Sequence, residues 1–166
     1  VYHQRYSTNT FPTWSLAQPF RVIAHNGEIN TLKGNKNWMK AHEPRMSHPN
    51  FKKTIDDLKP IIDDSASDSA ALDATIELLV RSNRTLPMAK LMTIPEAFAH
   101  RRDFSKKLKD LYAYANAVIE SWDGPAAICG FHDEWAIAGM DRNGLRPLRY
   151  TLTKDFLITG SETGMI

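Results

Sequence analysis

Residues 21–30 read RVIAHNGEIN, an apolar run that ends in an Asn-Gly pair. The run predicts a β-strand, and the Asn-Gly pair marks its end. An Asn side-chain N–H and a Gly backbone N–H, side by side at a strand end, are the donors needed to hold a developing oxyanion. Asn-Gly is also a common turn sequence. Two interpretations of Asn26 and Gly27 therefore stay open, an oxyanion hole and a plain turn.

Two charged residues outside this stretch are suited to binding an amino acid. Arg5 lies in the polar and aromatic segment 3–9, and a guanidinium grips a carboxylate through a bidentate fork. Asp68 lies at the predicted start of a helix, where the simplest role of a carboxylate is to cap the helix. The same carboxylate can instead receive an ammonium group. Together, Arg5 and Asp68 are able to recognise both charged groups of an α-amino acid.

Five ordered motifs resemble the glutaminase domains of the glutamate synthase family, which are class II glutamine amidotransferases with the N-terminal-nucleophile hydrolase fold. The motifs are HQRYSTNT at 3–10, AHNGEINT at 24–31, SDS at 67–69, WDGPAA at 122–127 and DRNGLRP at 141–147. The resemblance implies an α+β fold that is part of a four-layer αββα sandwich. It also implies that residues 1–166 are the C-terminal portion of a single glutamine amidotransferase type 2 domain.

The resemblance assigns roles to five residues of this chain. It implies that Arg5 binds the glutamine α-carboxylate and that Asp68 is the partner of the α-ammonium group. Asn26 and Gly27 correspond to the oxyanion hole. Thr8 is a weaker candidate for the same substrate pocket.

The main departure from the family concerns the nucleophile. In the family this is a Cys at the first position of the mature domain, whose free α-amino group serves as the base. The present chain begins with Val1, so we expect it to be an internal piece of a longer polypeptide that lacks the upstream strands and the nucleophile. The isolated piece is predicted not to hydrolyse glutamine. The single Cys129 lies in an apolar run and is predicted to belong to the core.

The resemblance also implies what the complete enzyme does. Its glutaminase domain hydrolyses L-glutamine to glutamate and ammonia, and the ammonia is channelled to 2-oxoglutarate for reductive glutamate synthesis. FMN, an iron–sulfur cluster and NADPH or ferredoxin are implied for the full-length enzyme, and no cofactor for this piece. The implied partners are the synthase domain of the same polypeptide and a small electron-donating subunit. Two alternatives stay open, another class II glutamine amidotransferase and a noncatalytic amino-acid-binding domain.

Composition excludes several other classes of function. The chain has 166 residues, 42% of them hydrophobic, which suits one domain with a real core. Its formal net charge of +2 is small, so we predict no nucleic-acid partner. The six His residues show no paired ligand spacing, which predicts no metal site. Without a signal peptide or a membrane-spanning run, we expect no membrane partner and a cytoplasmic location, or a plastid one if the source is a plant or alga.

Hydrophobic periodicity predicts helices in the middle of the chain and strands near both ends. The apolar strands after residue 125 indicate a sheet covered on both faces. Residues 141–147 are predicted to form a structural turn with internal hydrogen bonds and no catalytic role. The predicted strands are 1–8, 21–25, 126–131, 134–140, 148–152 and 156–159, and the predicted helical segments are 31–42, 50–58, 68–81, 86–98 and 106–121.

Overall fold

The computed structural model describes residues 1–4 and 12–165. These residues form both helices and strands, which confirms the α+β class. The α-helices are α1 (Leu32–His42), α2 (Asp68–Arg81), α3 (Leu86–Thr93) and α4 (Lys106–Val118). The strands are β1 (Ile23–Gly27), β2 (Ala126–His132), β3 (Trp135–Met140), β4 (Arg149–Leu152) and β5 (Leu157–Gly160). Short 3-10 turns lie at Trp14–Leu16, Glu43–Arg45 and Lys52–Leu58.

Most predicted elements are present, and their ends move by a few residues. The strand predicted at 21–25 runs instead from Ile23 to Gly27, so the Asn-Gly pair is part of the strand and the plain-turn interpretation is wrong. The strand predicted at 1–8 is not found over residues 1–4, and its remainder lies outside the described residues. Helix α2 has the predicted bounds.

The first sheet has the order β1-β2-β3, and both pairings are antiparallel. In its register, Gly27 lies opposite Ala126 and His25 lies opposite Ile128. Because side chains alternate along a strand, these residues share the side of the sheet that contacts helices α2 and α3. Asn26 lies between His25 and Gly27, so its side chain is on the other side.

The hydrophobic core lies between the sheet and the helices. Helix α2 contributes much of it, because its apolar residues recur at helical spacing and face the sheet. The buried side chains that form the centre of this core are Ile23, Leu72, Ile76, Leu86, Ile94, Trp122 and Ile128.

The second sheet is the antiparallel pair β4 and β5, which does not support the prediction of strands covered on both faces. Every residue of β4 is exposed, and Tyr150 and Leu157 are 75% and 66% exposed. Strand β3 also exposes Trp135 and Met140. The reason is that the helices of the described chain cover one side of the first sheet, and none of them packs closely over the β4–β5 pair.

Candidate functional site

The two predicted oxyanion donors lie at the end of β1, which is an edge strand of the first sheet. The bonds that flank the β1–β2 pairing run from Phe131 N to Val22 O and from Glu28 N to Pro125 O. In an antiparallel pair the hydrogen-bonded residues alternate, so even-numbered residues of β1 bond to β2. Gly27 is odd-numbered, and its N–H therefore points away from β2, toward the edge of the sheet that is open among the described residues.

Side chains cover this open edge up to the residue before the Asn-Gly pair. The amide of Gln18 accepts from His25 N at 2.7 Å and donates to His25 O at 3.1 Å, as a neighbouring strand would. Further along, buried Asp73 accepts from the backbone N–H groups of Ile23 and Val22 at 2.9 and 3.0 Å. Gly27 is the next residue whose N–H faces this edge, so its donor lies where the covered part ends.

Gly27 is required by its surroundings. Its φ is +153°, and a Cβ at this position would lie 1.9 Å from the carbonyl oxygen of Pro125. No side chain fits at that distance, so the close approach of the two backbones depends on glycine. The approach brings the end of β1 against Pro125 and Ala126, at the start of β2.

The side-chain amide of Asn26 is held from both ends. Its Oδ1 accepts from Nη2 of Arg146 at 2.8 Å. Its Nδ2 donates to Oγ of Ser161 at 2.8 Å and to Oε1 of Glu162 at 3.3 Å. These contacts fix the amide with its N–H group toward the segment that follows β5. The amide can donate to an oxyanion if one of these acceptors gives way.

Residues 141–147 form the predicted turn with internal hydrogen bonds, organised around the buried carboxylate of Asp141. That carboxylate accepts from the backbone N–H groups of Asn143, Leu145 and Arg146 at 2.9 to 3.1 Å. It also accepts from Ala126 N at 3.0 Å. Burial alone would raise the pKa of Asp141, but these donors outweigh burial and hold the pKa below its ordinary value. The turn also places Arg146 beside Asn26, where its guanidinium donates to Oδ1 of Asn26. This contact was not predicted from the sequence.

Asp68 approaches the same strand end from the helix side. Its Oδ2 accepts from the backbone N–H of Ile29 at 2.8 Å, two residues beyond Gly27. The cap of α2 is Ser67, whose hydroxyl accepts from Ala70 N, so the capping role considered for Asp68 is wrong. The other carboxylate oxygen of Asp68 has a 3.4 Å contact from the hydroxyl of Ser69. Because a carboxylate offers about four acceptor positions, Asp68 has capacity left for an ammonium group.

His25 is buried beside Asp68 on the helix-facing side of β1, 3% exposed. Burial lowers its pKa, and the nearby Asp68 carboxylate and Pro125 carbonyl only partly oppose this. Its Nε2 has no hydrogen-bond partner within the described ranges. The ring is therefore a neutral imidazole at pH 7, packed behind the strand that carries the predicted oxyanion donors.

Two of the motifs that carry the family resemblance pack directly against each other. Asp123 O accepts from Asn30 N at 2.7 Å, and the hydroxyl of Thr31 accepts from Asp123 N at 3.0 Å. Between them, Gly124 has a φ of +137°, and a Cβ there would lie 2.3 Å from Glu28 O. The segment that follows the Asn-Gly pair is thereby fixed to the residues that lead into β2.

Three of the five predicted site residues, Asn26, Gly27 and Asp68, lie at or beside the end of β1. Arg5 and Thr8 lie outside the described residues. Cys129, which was predicted to belong to the core, is half-buried on β2, and burial raises the pKa of its thiol. A raised pKa disfavours the thiolate, so Cys129 is poorly suited to act as a nucleophile.

The chain is similar in sequence to known glutamate synthases. The chain is 59% identical over 167 residues to the glutamate synthase [NADPH] large chain of Azospirillum brasilense, covering 100% of this chain and 11% of that protein. It is 49% identical over 166 residues to the glutamate synthase [NADH] of Saccharomyces cerevisiae, covering 99% of this chain and 8% of that protein. The chain thus spans about a tenth of the length of these curated relatives.

A solved structure shows the same fold at low sequence identity. It is the glutamine phosphoribosylpyrophosphate amidotransferase from B. subtilis, with a TM-score of 0.51 and 20% identity over 97% of this chain and 27% of that one. None of the helices in the described part of the chain has the length and apolar character needed to cross a membrane. The sequence profile of the glutamine amidotransferases class-II matches residues 1–166. The chain therefore belongs to the class II glutamine amidotransferases.

Proposed function

We propose that this chain supplies the oxyanion hole and the substrate pocket of the glutaminase domain of a glutamate synthase. The observation that carries the proposal is that three groups lie at or beside the end of β1. These are the amide of Asn26, the outward N–H of Gly27 and the carboxylate of Asp68, which bonds to Ile29 N at 2.8 Å. The high identity to glutamate synthases of a bacterium and a yeast supports the same assignment.

In the proposed reaction a cysteine thiolate from outside residues 1–166 attacks the side-chain carbonyl carbon of glutamine. The carbonyl π electrons move to oxygen, and the resulting oxyanion accepts from Asn26 Nδ2 and Gly27 N. When the tetrahedral intermediate collapses, the C–N bond breaks, and the nitrogen leaves as ammonia with the proton that the α-amino group of the cysteine took from the thiol and now returns. Water then hydrolyses the γ-glutamyl thioester through a second oxyanion at the same donors, releasing glutamate and the thiol.

Substrate recognition in the proposal uses the two charged groups of glutamine. Asp68 receives the α-ammonium group, using the acceptor positions that Ile29 N and Ser69 leave open. Arg5 is the proposed bidentate partner of the α-carboxylate, and Thr8 is a weaker candidate for the same pocket. Opposite charges on the two sides of the pocket orient glutamine with its side-chain amide toward the oxyanion donors.

The redox chemistry of a glutamate synthase belongs elsewhere in our proposal. An iron–sulfur cluster takes about four cysteine thiolates, and this chain has one Cys. We therefore place FMN, the iron–sulfur cluster and the site for NADPH or ferredoxin in other parts of the polypeptide, with residues 1–166 forming the C-terminal portion of the glutaminase domain. The synthase domain receives the ammonia, and a small electron-donating subunit is a further proposed partner. The proposed location is the cytoplasm, or a plastid if the source is a plant or alga.

The test is the Asn26→Ala substitution in the complete enzyme. Loss of one oxyanion donor is expected to lower kcat for glutamine hydrolysis by about 10²- to 10³-fold. Asn37→Ala, at an exposed position of α1, is the matched control and should leave kcat unchanged. Near-normal turnover by Asn26→Ala would refute the assignment.

A second measurement separates glutamate synthase from other class II amidotransferases and from an amino-acid-binding domain. The complete enzyme is supplied with glutamine, 2-oxoglutarate and a reductant. Formation of two glutamates per glutamine consumed supports the proposal. Glutamine hydrolysis without reductive consumption of 2-oxoglutarate would indicate another amidotransferase, and glutamine binding without hydrolysis would indicate a binding domain.

A further inference from the structure

The orientation of the Asn26 side chain decides whether it can stabilise an oxyanion. Its Nδ2 is a donor, and its Oδ1 is an acceptor that would repel negative charge. Rotation of the amide by 180° exchanges the two atoms at almost the same shape. An oxyanion hole built on an asparagine therefore needs a donor that holds Oδ1 in place.

Arg146 supplies that donor. Its Nη2 lies 2.8 Å from Oδ1 of Asn26, the usual length of a charge-assisted hydrogen bond. If the amide rotated, its N–H group would face the guanidinium, and two donors would oppose each other. The rotated state thus loses one hydrogen bond to a charged group and gains a repulsive contact.

The guanidinium is itself held in position. Its Nη2 also donates to Oε1 of Glu162 at 3.2 Å, and the backbone N–H of Arg146 donates to the buried Asp141 carboxylate at 2.9 Å. The side chain is only 26% exposed. Its Nε is buried and has no hydrogen-bond partner in the part of the chain that the structure describes. Partial removal from water strengthens the electrostatic hold on Asn26.

We propose that Arg146 is a positioning residue of the oxyanion hole, which holds Oδ1 of Asn26 so that Nδ2 faces the reacting carbonyl. The inference rests on the proposed glutaminase function. Nδ2 has two hydrogens, which here go to Ser161 at 2.8 Å and to Glu162 at 3.3 Å. The contact to Glu162 is longer and therefore weaker, so the oxyanion takes its place. Arg146 retains its own bond to Glu162 and keeps that carboxylate neutralised during the exchange.

The first part of the test compares Arg146→Met with Arg146→Lys in the complete enzyme. Loss of the hydrogen bond is expected to lower kcat for glutamine hydrolysis by about 10- to 100-fold. KM for glutamine should change less than about threefold, because the oxyanion exists only in the transition state and the intermediates. Arg146→Lys should recover part of the loss, since an ammonium can still donate to Oδ1. Equal kcat values for the wild type and Arg146→Met would overturn the proposal.

The matched control for this comparison is Arg142→Met. Arg142 belongs to the same turn and donates from Nη1 to the hydroxyl of Ser121 at 3.2 Å, away from Asn26. Like Arg146→Met, Arg142→Met removes one guanidinium group and one side-chain hydrogen bond. We expect its kcat to remain within about twofold of the wild type. If Arg142→Met lowered kcat as much as Arg146→Met does, replacing either arginine of the turn would impair the enzyme. That result would overturn the specific role of Arg146.

The second part is a double-mutant cycle with Asn26→Ala. If Arg146 acts through Asn26, Arg146→Met should lower kcat by less than about twofold in the Asn26→Ala background. Equal losses in both backgrounds would overturn the inference while leaving the proposed function intact. If Asn26→Ala itself has no effect, the proposed function fails instead. Should Arg146→Met not fold, Arg146→Lys is carried through the same cycle, and the same two outcomes decide.

Discussion

Replacement of Asp141 by alanine tests whether one buried carboxylate organises the turn that serves Asn26. Asp141 is 5% exposed and accepts four backbone hydrogen bonds. Three of the donors belong to the turn 143–146, where they can bind water once the carboxylate is gone. The fourth donor, the N–H of Ala126, belongs to a fully buried residue and cannot. The cost is therefore unequal among the four bonds.

The magnitude follows from this difference. A buried donor left without a partner costs about 1–3 kcal/mol, and we assign about 2 kcal/mol to Ala126 N. The three exchangeable bonds add roughly 1 kcal/mol together, because water replaces most of each. We expect Asp141→Ala to lower the free energy of local opening by about 3 kcal/mol. At about 1.4 kcal/mol per factor of ten, amide exchange at the start of β2 should become about 100-fold faster.

The assay is hydrogen exchange followed by mass spectrometry on the complete protein, using peptides that cover 125–132 and 141–147. Asp155→Ala, an exposed aspartate in the β4–β5 turn, is the control and should leave both peptides unchanged. Asp141→Asn should give an intermediate effect, because it keeps one acceptor oxygen. Exchange in the Asp141→Ala variant within about threefold of the wild type would refute the reasoning.

Two further predictions concern β1. Gly27→Ala places a Cβ 1.9 Å from Pro125 O, so the end of β1 must separate from β2. We expect kcat for glutamine hydrolysis to fall by at least about 100-fold. Activity within tenfold of the wild type would contradict this. The pKa of His25 is lowered by burial, so the unfolded chain binds its proton more readily than the folded one below about pH 6.5. The free energy of local opening around β1, measured by hydrogen exchange corrected for the intrinsic rate, should therefore fall as the pH drops below that value. An equal fall in a His25→Asn variant would show that another group is responsible.

The helices were largely predictable from local sequence. Helix α2 has its predicted bounds because apolar spacing, a preceding serine cap and the following Asn83 all act within the segment. Local sequence alone, however, predicted the wrong capping residue at the start of α2. Ser67 caps the helix, and Asp68 is turned toward Ile29, because a backbone N–H 39 residues earlier in the chain competes for its carboxylate.

The contacts of the candidate site were only partly predictable. Asn26 and Gly27 were found because they form a short motif, whereas the bond from Arg146 to Asn26 joins residues 120 positions apart. No periodicity or spacing reports such a contact. The hydrogen bonds between the edge of β1 and the side chains of Gln18 and Asp73 were not predicted for a similar reason. A polar side chain that takes the place of a neighbouring strand produces no recognisable sequence pattern.

The turn 141–147 is connected to both proposed oxyanion donors, by two different routes. Asp141 holds the N–H of Ala126, the residue paired with Gly27, and Arg146 holds the side chain of Asn26. An inserted or deleted residue between Asp141 and Arg146 would shift one route relative to the other and misalign the two donors. Within residues 1–4 and 12–165, the β4–β5 turn has no such connection, so it can change length freely. Length variation among natural relatives, or the insertion of a tag by an engineer, should thus be tolerated at 153–155 and rejected at 142–145.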